Sequence, residues 1–563
     1  MNKQNAMTND QYDVILMGGG LAGLTLSLQL KQENPNISIL ILEQRKNEAP
    51  NAAHKVGEST VELGTYYLRE VLNLKDYLDA KQLPKHGLRF FFSPQHKDNL
   101  SRRVELGPRE RLPVPSHQLD RGSFENELIQ RSKAAGNELQ LGCRVKSVEF
   151  GTPLHTVTYT IAGQEHTVQA KWTVDCTGRG AILKRQMGFQ KPVDHNINAA
   201  WFRIKGEIDV QEWAADSAWS ATLKPGLRRL GTVHLMDTGY WLWFIPLSSG
   251  NTSVGIVADP RFHDFTEYNT KDKAFEWIRK NEPQAFEKIG PRKDDVLDFL
   301  FLKHYSHHSG KLYSEDRWAV TGDSGVFLDP LYSPGTDFIS MNNSWITDLI
   351  TRDLAGEPIF IHADVYEKTH FGIFEHWIPT YLDKYQLMGN TQIMVAKIFW
   401  DWAVYWSFFT LLFTNKGYTN LRVLKTLFAN PDSLGRQVGI LNQKVQDLFI
   451  AWRPHDTHPI ADRYVDPFDL ACLRDFHHGL EIQYETPELL DKLTSNIRVI
   501  ENFAAELFRH ISHAVHGTPI DMPVDPYTMN LNQIDTAPDK GLLPDPAIKA
   551  DIEALWLYNL SNA

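Results

Sequence analysis

Cysteine is scarce in this chain of 563 residues. Its three cysteines, Cys143, Cys176 and Cys472, are odd in number and far apart in the sequence. This spacing disfavours both a disulfide framework and a cysteine-based zinc site. The simplest interpretation is a protein of a reducing compartment, and we therefore predict a cytoplasmic location.

Long hydrophobic runs are also missing. Residues 1–12 are polar and have no apolar centre, so they do not resemble a signal peptide. The longest uncharged, mostly apolar stretch, residues 402–414, is shorter than the roughly 20 residues that span a bilayer. Its many aromatic side chains favour a buried helix. A tunnel wall for an apolar substrate and a membrane-surface contact stay open as alternatives, and membrane contact is the least favoured.

An excess of positive charge is absent as well. Lysine and arginine number 58 against 69 aspartate and glutamate residues, a net charge of −11. Nucleic acid is therefore not the predicted partner, because a phosphate backbone requires a basic face. The histidines at His304, His307 and His308 are loosely spaced within a polar segment, and we predict no metal site there.

A cluster of glycines follows the first apolar run. Residues 13–17 lead into the G-x-G-x-x-G turn of Gly18, Gly20 and Gly23, a helical pattern follows, and a second apolar run ends at Glu43. The interval from the last glycine to this acid is that of a dinucleotide-binding unit. The pattern predicts an α/β fold with a Rossmann-like domain, in which the helix N-terminus stabilises a pyrophosphate and Glu43 accepts hydrogen bonds from a ribose.

Two later segments favour FAD over NAD. Asp175 precedes Gly178 at the end of an apolar strand, and a second apolar strand ends at Gly322 and Asp323. With the first glycine turn, these segments resemble the FAD-binding pattern of the aromatic-hydroxylase superfamily. The resemblance also implies that Arg121 lies on a helix leaning over the flavin. The predicted cofactor-binding residues are Gly18, Gly20, Ala22, Gly23, Glu43, Arg45, Arg121, Asp175, Gly178, Gly322, Asp323, Gly335 and Thr336.

The segment Trp241-Leu242-Trp243-Phe244-Ile245-Pro246 is a W-x-W-x-I-P motif. It resembles the signature of the flavin-dependent halogenases, in which this segment keeps the substrate apart from the flavin. The alternative interpretation is a core strand whose alternate residues face one side. Residues 55–60 (KVGEST) and the loop at 322–336 resemble two further segments of that family. The resemblance implies catalytic roles for Trp241 and Trp243.

The family uses a lysine to receive or orient hypohalous acid, and this chain departs from the pattern there. The aligned position is Ala53, and Lys55 lies two residues later. Two residues along an extended chain keep a side chain on the same face, about 6–7 Å away. Lys55 is therefore the predicted catalytic lysine; contact with the FAD phosphates is the alternative.

The predicted halide loop departs from the family at Pro334, in the sequence Ser333-Pro334-Gly335. Proline has no backbone N–H, so one expected halide donor is missing, while Gly335 and Thr336 keep theirs. Tyr332 stands where tryptophan-type members carry a catalytic glutamate. The resemblance therefore implies a phenol- or pyrrole-type member with Tyr332 in the site.

The resemblance implies an oxidoreductase that uses reduced FAD and O2 to halogenate an electron-rich aromatic in secondary metabolism. The substrate is either free or tethered to a carrier protein. No second glycine-rich fingerprint for NAD(P)H is present, so the electrons come from a flavin reductase or a docked nicotinamide. The alternatives are an FAD monooxygenase or desaturating oxidase that uses no halide, and a flavin-binding partner protein without turnover.

Strand and helix patterns divide the chain. Residues 1–350 are predicted to form the FAD-binding core, with an interleaved substrate sheet from about 85–120 and 190–305. Residues 351–563 are predicted to be mainly helical. The clearest helical patterns cover residues 363–387, 391–412, 434–452 and 487–513.

Overall fold

The computed structural model describes residues 10–51, 55–533 and 541–557. The strands within these ranges form two large sheets and two short ribbons. In chain order they are β1 (Gln11–Met17), β2 (Ile39–Glu43), β3 (Leu83–Lys85), β4 (Leu88–Phe91), β5 (Glu105–Leu106), β6 (Ser116–Gln118), β7 (Glu138–Leu141), β8 (Cys143–Glu149), β9 (His155–Ile161), β10 (Gln164–Asp175), β11 (Gln190–Lys191), β12 (Asn198–Ile204), β13 (Thr232–Asp237), β14 (Tyr240–Pro246), β15 (Thr252–Ala258), β16 (Val296–Leu302), β17 (His308–Ser309), β18 (Tyr313–Ser314), β19 (Trp318–Val320) and β20 (Tyr464–Val465).

Helices alternate with these strands and then dominate the C-terminal third. The α-helices are α1 (Leu21–Glu33), α2 (Glu62–Tyr66), α3 (Lys75–Lys81), α4 (Arg121–Ala134), α5 (Ile182–Gln186), α6 (Ser217–Ala221), α7 (Leu227–Leu230), α8 (Lys271–Asn281), α9 (Pro283–Ile289), α10 (Gly335–Leu354), α11 (Phe360–Tyr381), α12 (Thr391–Val404), α13 (Leu411–Thr414), α14 (Leu421–Phe428), α15 (Leu434–Trp452), α16 (Ala471–Gly479), α17 (Thr486–His516) and α18 (Pro546–Leu555).

The first sheet carries the glycine turn. Its strand order is β18-β19-β10-β1-β2-β7, and β9 joins it through β10. Strands β1, β2, β10 and β19 are mutually parallel, so their carboxyl ends meet at one edge, where open α/β sheets bind ligands. The predicted α/β fold with a Rossmann-like domain is confirmed.

The second sheet has the order β16-β12-β15-β14-β13-β4-β5-β20. Strands β4 and β5 come from the first predicted substrate segment, and β12 to β16 come from the second. β20 comes from the C-terminal third and pairs in parallel with β5. Sequence analysis missed β20, because two residues carry no recognisable periodicity.

The helical third follows its sequence pattern with two differences. Helix α15 has the predicted bounds. The pattern at 363–387 ends early, at Tyr381, because Leu382 leaves the helical region and Asp383 adopts a φ of 60°. The pattern at 391–412 is interrupted after Val404 by a π-helical segment, Tyr405–Thr410. This segment bears many of the aromatic side chains that sequence analysis singled out.

One hydrophobic core joins the first sheet to the helical third. It includes Leu16 of β1, Trp345 of α10 and Trp400 of α12, which are all fully buried. Across the described part of the chain, no helix combines the length and the apolar character needed to cross a membrane. The aromatic stretch at 402–414 is buried, as its favoured interpretation predicted.

Candidate active site

Close backbone packing explains two of the three glycines at the first turn. Gly18 has a φ of 117°, and a Cβ there would lie 2.3 Å from the carbonyl oxygen of Cys176. A Cβ on Gly23 would lie 2.1 Å from the carbonyl oxygen of Gly18. Side chains at these two positions would push apart β1, β10 and α1. Gly20 is different, because it caps α1 and faces a large cavity.

Glu43 is fixed at the end of β2 by two backbone donors. Its Oε2 atom accepts a hydrogen bond from the Gly19 N–H at 2.6 Å, and its Oε1 atom accepts one from the Arg45 N–H at 2.8 Å. The carboxylate therefore joins the glycine turn to the chain after β2. Its contact with a ribose stays a prediction.

A cavity of about 1330 Å³ opens along the carboxyl edge of the first sheet and reaches the second sheet. Most of the predicted cofactor residues and three of the four predicted catalytic residues line it. They are Gly18, Gly20, Ala22, Glu43, Arg45, Lys55, Arg121, Gly178, Trp241, Trp243, Gly322, Asp323, Gly335 and Thr336.

Three cations surround Glu125 on one wall of this cavity. The Arg121 Nη2 atom lies 2.6 Å and the Lys55 Nζ atom 2.9 Å from its carboxylate, and Arg45 Nη1 lies at 3.8 Å. Burial opposes ionisation of Glu125, but the Arg121 and Lys55 charges outweigh this effect and hold its pKa below the ordinary value. The cluster therefore keeps a surplus of positive charge.

This surplus fits a dinucleotide. The three guanidinium nitrogens of Arg45 are buried and have no hydrogen-bond partner among the described residues, a costly state unless an anionic ligand accepts hydrogen bonds from them. Lys55 Nζ lies 3.1 Å from the position of a Cβ on Gly20, beside the turn that would hold the pyrophosphate. The residues present therefore fit FAD.

Two residues predicted for the cofactor site, Asp175 and Gly23, do not line the cavity. Asp175 is fully buried; its Oδ1 accepts hydrogen bonds from the Thr177 N–H and hydroxyl, and its Oδ2 accepts one from the Leu183 N–H. This carboxylate holds the turn that presents Gly178. Gly23 provides only the close packing described above.

The W-x-W-x-I-P segment forms β14, and its residues alternate between two faces. Trp241, Trp243 and Ile245 line the cavity, whereas Leu242 and Phe244 belong to a separate core on the other face. Trp243 is held by a hydrogen bond of 3.1 Å from its Nε1 to the Ser253 hydroxyl. Gly255 makes room for the ring, because a Cβ there would lie 2.2 Å from the indole.

Trp241 is connected to the loop that follows Gly322 and Asp323. Its Nε1 donates to the Tyr385 hydroxyl at 2.9 Å, and Tyr385 in turn donates to Asp329 Oδ2 at 2.9 Å. His195 Nε2 lies 2.6 Å from the same oxygen. Sequence analysis missed this network, because its members lie on four separate segments.

A second, smaller pocket of about 80 Å³ lies beside the cavity. Tyr332, Pro334 and Asp337 face this aromatic pocket, whereas Ser333, Gly335 and Thr336 face the large cavity, so residues 332–337 form a shared wall. Tyr332 is therefore the predicted site residue that lines only the aromatic pocket. The remaining wall comes mainly from aromatic side chains of the helical third, which are Trp377, Tyr381, Trp402, Tyr405, Trp406 and Phe409.

The shared wall is held in an uncommon conformation. Tyr332 and Ser333 have φ values of 70° and 62°, and such values are uncommon outside glycine. The Tyr332 hydroxyl donates to Asp401 Oδ2 at 2.7 Å, and Lys397 pairs with that oxygen at 2.5 Å. Pro334 then caps α10, so that the N-terminus of this helix begins at Gly335.

Sequence analysis missed a buried lysine at the polar end of the aromatic pocket. Burial lowers the pKa of Lys85 to about 7, although Glu62 and Asp337 oppose the shift. Its Nζ donates to the Thr60 carbonyl at 2.6 Å. The available sequence signal was a charged residue at the end of β3, three residues before the apolar strand β4. Ala53, the position aligned with the family lysine, lies outside the described residues.

Asp337 lies at the same end of the pocket. Burial raises its pKa to about 8, while hydrogen bonds of 2.8 Å from the Tyr405 hydroxyl and the Gly64 N–H lower it. Its carboxyl group is therefore mostly protonated at neutral pH. A neutral acid and a partly neutral amine thus lie together in an aromatic environment.

Comparison with known proteins agrees with this geometry. Residues 11–280 match the family described as FAD binding domain. The flavin-dependent halogenase chlA of Dictyostelium discoideum is 24% identical over 433 residues, 71% of this chain and 70% of that protein. A 1H-pyrrole-2-carbonyl-(peptidyl-carrier protein) brominase of Pseudoalteromonas luteoviolacea is 24% identical over 406 residues, 70% of this chain and 87% of that protein.

The fold is shared with a solved halogenase. The crystal structure of halogenase PltM with phloroglucinol and FAD has a TM-score of 0.63 at 16% identity, over 86% of this chain and 96% of that one. The chain is thus an FAD-binding enzyme related to flavin-dependent halogenases, and the predicted cofactor, enzyme class and family resemblance are confirmed.

Proposed function

We propose that this protein is an FAD-dependent halogenase of secondary metabolism that acts on an electron-rich aromatic of phenol or pyrrole type. The observation that carries the proposal is the shared wall at 332–337. It places an aromatic pocket with a buried amine, Lys85, directly beside the cavity that fits FAD. This arrangement keeps the substrate apart from the cofactor.

The residues of the large cavity serve the cofactor. Arg45, Lys55 and Arg121 would hold the pyrophosphate, and Asp323 would lie near the ribityl and ribose hydroxyls. Reduced FAD and O2 together would supply the oxidising equivalents that convert halide to hypohalous acid. The Gly335 and Thr336 N–H groups at the start of α10 are suited to binding the halide, because a helix N-terminus favours anions.

We assign the role predicted for Lys55 to Lys85. Lys55 contacts Glu125 beside the glycine turn and does not line the aromatic pocket. Lys85 lines that pocket, and its lowered pKa leaves a substantial neutral fraction at physiological pH. A neutral amine can take up hypohalous acid or orient it towards a substrate ring. The catalytic lysine that the family resemblance implies is thus assigned to Lys85, at the end of β3, and not to Lys55.

The partners and location follow as further proposals. A flavin reductase would supply reduced FAD, and the related pyrrole brominase makes a carrier-bound substrate a candidate beside a free aromatic. Cys143, Cys176 and Cys472 are all unpaired in the structure, which supports a reducing compartment such as the cytoplasm.

A direct assay tests the proposal. The purified protein is supplied with reduced FAD, O2 and bromide, together with a simple phenol or with indole. We expect brominated product from the phenol. A halide-independent, oxygenated product from the wild-type protein would contradict the proposal.

Replacing Trp243 by alanine should open space in the large cavity beside the proposed flavin site. We expect more uncoupled peroxide or hydroxylated product, because water and substrate would reach the flavin side. The lost packing costs about 3–5 kcal/mol, so folding is measured alongside. Phe244→Ala is the matched control, since that buried ring lies on the other face of β14. An unaltered product ratio in folded Trp243→Ala would contradict a gating role.

Pro334 favours a second candidate function, an FAD monooxygenase that uses no halide, because one backbone donor is missing from the predicted halide loop. If the enzyme is a halogenase, Pro334→Ser should tighten halide binding roughly 10- to 100-fold, since a hydrogen bond to an anion contributes about 1.5–3 kcal/mol. The measurement is the halide KM for bromide and chloride.

Pro334→Ala is the control for this experiment, because it restores the N–H without adding the hydroxyl of a good helix cap. Both variants should show the same gain in halide affinity. If neither variant changes the halide dependence and the product stays oxygenated, the monooxygenase alternative is supported.

A further inference from the structure

Glu62 and His477 form a pair at the polar end of the aromatic pocket that the proposed reaction does not yet use. Glu62 begins α2 and lines the pocket. Its Oε1 lies 3.5 Å from Nε2 of His477 on α16. Both side chains are buried, with exposed fractions of 5% and 0%. Trp406 packs edge-on against the imidazole at 4.9 Å.

The charges around Glu62 favour its ionised form. Burial alone would raise the pKa of Glu62, but His477 and the backbone N–H of Glu62, with a smaller contribution from Lys85, outweigh burial and hold the pKa below its ordinary value. Asp337 and Tyr405 face the same group from α10 and from the π-helical segment. An ionised carboxylate therefore lies beside the partly neutral amine of Lys85.

We infer that Glu62, backed by His477, accepts the hydroxyl proton of a single-ring phenol bound in the aromatic pocket. The inference rests on the proposed function and narrows its substrate class from phenol or pyrrole to phenol. An ionised carboxylate on the wall of a buried pocket accepts a hydrogen bond from a ligand that carries a donor. A phenolic hydroxyl is such a donor, and the mostly protonated Asp337 carboxyl beside it adds no second negative charge.

The size of the pocket favours a substrate of one ring. Its volume of about 80 Å³ is smaller than the ~150 Å³ cavity that holds benzene in an engineered protein. No side chain of its described lining is exposed. Even a single ring therefore requires the walls to move outward, and a larger ring system requires a larger movement.

The chemistry balances with hypohalous acid as the oxidant. Glu62 takes the hydroxyl proton, and the ring carbon of the phenolate attacks the halogen. The carbon–halogen bond forms as the halogen–oxygen bond breaks, and the departing hydroxide takes the proton from Glu62 to give water. The ring then loses its C–H proton and the phenol oxygen regains one. The net products are one halophenol and one water.

Lys85 and Glu62 lie at the same end of the pocket, so the halogen and the hydroxyl meet there. The expected product is therefore the ortho-halophenol. Lys85 donates to the carbonyl of Thr60, two residues before Glu62, which keeps the amine beside α2.

The test compares Glu62→Gln with the wild-type holoenzyme. With a simple phenol at pH 7, kcat/KM should fall about 100-fold or more, as for removal of a general base. As the pH rises towards the pKa of the phenol, near 10, the kcat/KM of Glu62→Gln should recover about tenfold per pH unit. A nitro-substituted phenol, already ionised at the assay pH, should lose less than about threefold. Equal losses on both phenols would overturn the inference.

Two further measurements separate this inference from the proposed function. Hypohalous acid is trapped without phenol, and Glu62→Gln should still produce it. The absorbance of bound nitrophenol is measured as a function of pH. The pKa of the bound nitrophenol should be at least one unit higher in the wild type than in Glu62→Gln. If the titration differs but no halogenated product forms, the phenol site stands and the halogenase proposal fails. Identical titrations would overturn the phenol site.

His477 is a positioning residue in this scheme, and a comparison of two phenols tests it. His477→Gln should lower kcat/KM for a simple phenol, whereas a nitro-substituted phenol, already ionised at the assay pH, should lose less than about threefold. Phe468→Leu is the packing control, since Phe468 contacts the same imidazole at 5.4 Å without lining the pocket. Equal losses on both phenols in His477→Gln, or the same selective loss in Phe468→Leu, would overturn the pairing.

Discussion

Lys85→Met is expected to abolish halogenated product while hypohalous acid is still formed. The variant removes the only amine of the aromatic pocket's described lining, and loss of such a group should lower kcat/KM by at least ~100-fold. Methionine fills nearly the same volume, but the buried Thr60 carbonyl loses its hydrogen-bond donor, which costs about 1–3 kcal/mol, so folding is measured as well. Product yield and trapped hypohalous acid are measured in parallel.

Two other lysines provide controls. Lys184 is also buried, its pKa is lowered to about 8 by burial, and its Nζ donates to the Gly325 carbonyl. It lines neither compartment, so Lys184→Met should still halogenate. Lys55→Met should weaken FAD binding roughly 10- to 100-fold and yet form product once FAD is saturating. Loss of product in FAD-saturated Lys55→Met, with product retained in Lys85→Met, would restore the role to Lys55.

The pH dependence gives an independent check on Lys85. Burial lowers its pKa to about 7, so the neutral fraction of the amine grows as the pH rises through 7. Product formation in the wild type should therefore rise through this range and then level off. The residual activity of Lys85→Met should lack this rise, and Lys184→Met should keep it. A wild-type rate that falls between pH 6 and 8 would contradict a neutral amine as the active form.

Local signals predicted the nucleotide-binding part of the fold. Strand β1, helix α1 and strand β2 carry their own periodicity, and the glycine turn needs only neighbouring residues to be recognised. Helix α15 was likewise predicted with its observed bounds. The π-helical segment was not, because Tyr405–Thr410 keeps a helical sequence pattern and differs only in its hydrogen bonds.

The active site was harder to predict, because its chemistry depends on contacts between distant segments. Lys85 becomes a candidate only when burial and the neighbouring Glu62 and Asp337 are known. The family resemblance favoured Lys55 instead, because it lies two residues after Ala53, the position aligned with the family lysine. In the same way, Asp175 has the sequence position of a cofactor ligand, but its oxygens are used by the turn that follows it. Sequence motifs located the cavity wall, and tertiary packing decides which wall residues face it.

Gly20→Val is expected to abolish FAD binding without unfolding the protein. A side chain at Gly18 or Gly23 would meet backbone atoms at 2.3 or 2.1 Å and disrupt the fold. At Gly20 the neighbour is instead the flexible end of Lys55, at 3.1 Å, and φ is −87°, which any residue can adopt. Valine therefore fits the protein but fills the space where backbone N–H groups would meet the pyrophosphate.

A hydrogen bond from a backbone N–H to a charged phosphate contributes about 1.5–3 kcal/mol. Losing two of these hydrogen bonds should weaken FAD binding by about 10²- to 10⁴-fold. Flavin titration gives the Kd, and the rise in melting temperature on adding FAD gives a second measure, because ligand binding stabilises the folded state. Gly372→Val on α11 is the control, since nothing lies within 4 Å of its added Cβ. That variant should keep the full FAD-dependent stabilisation. Wild-type FAD affinity in folded Gly20→Val would mean that the pyrophosphate does not lie on the glycine turn.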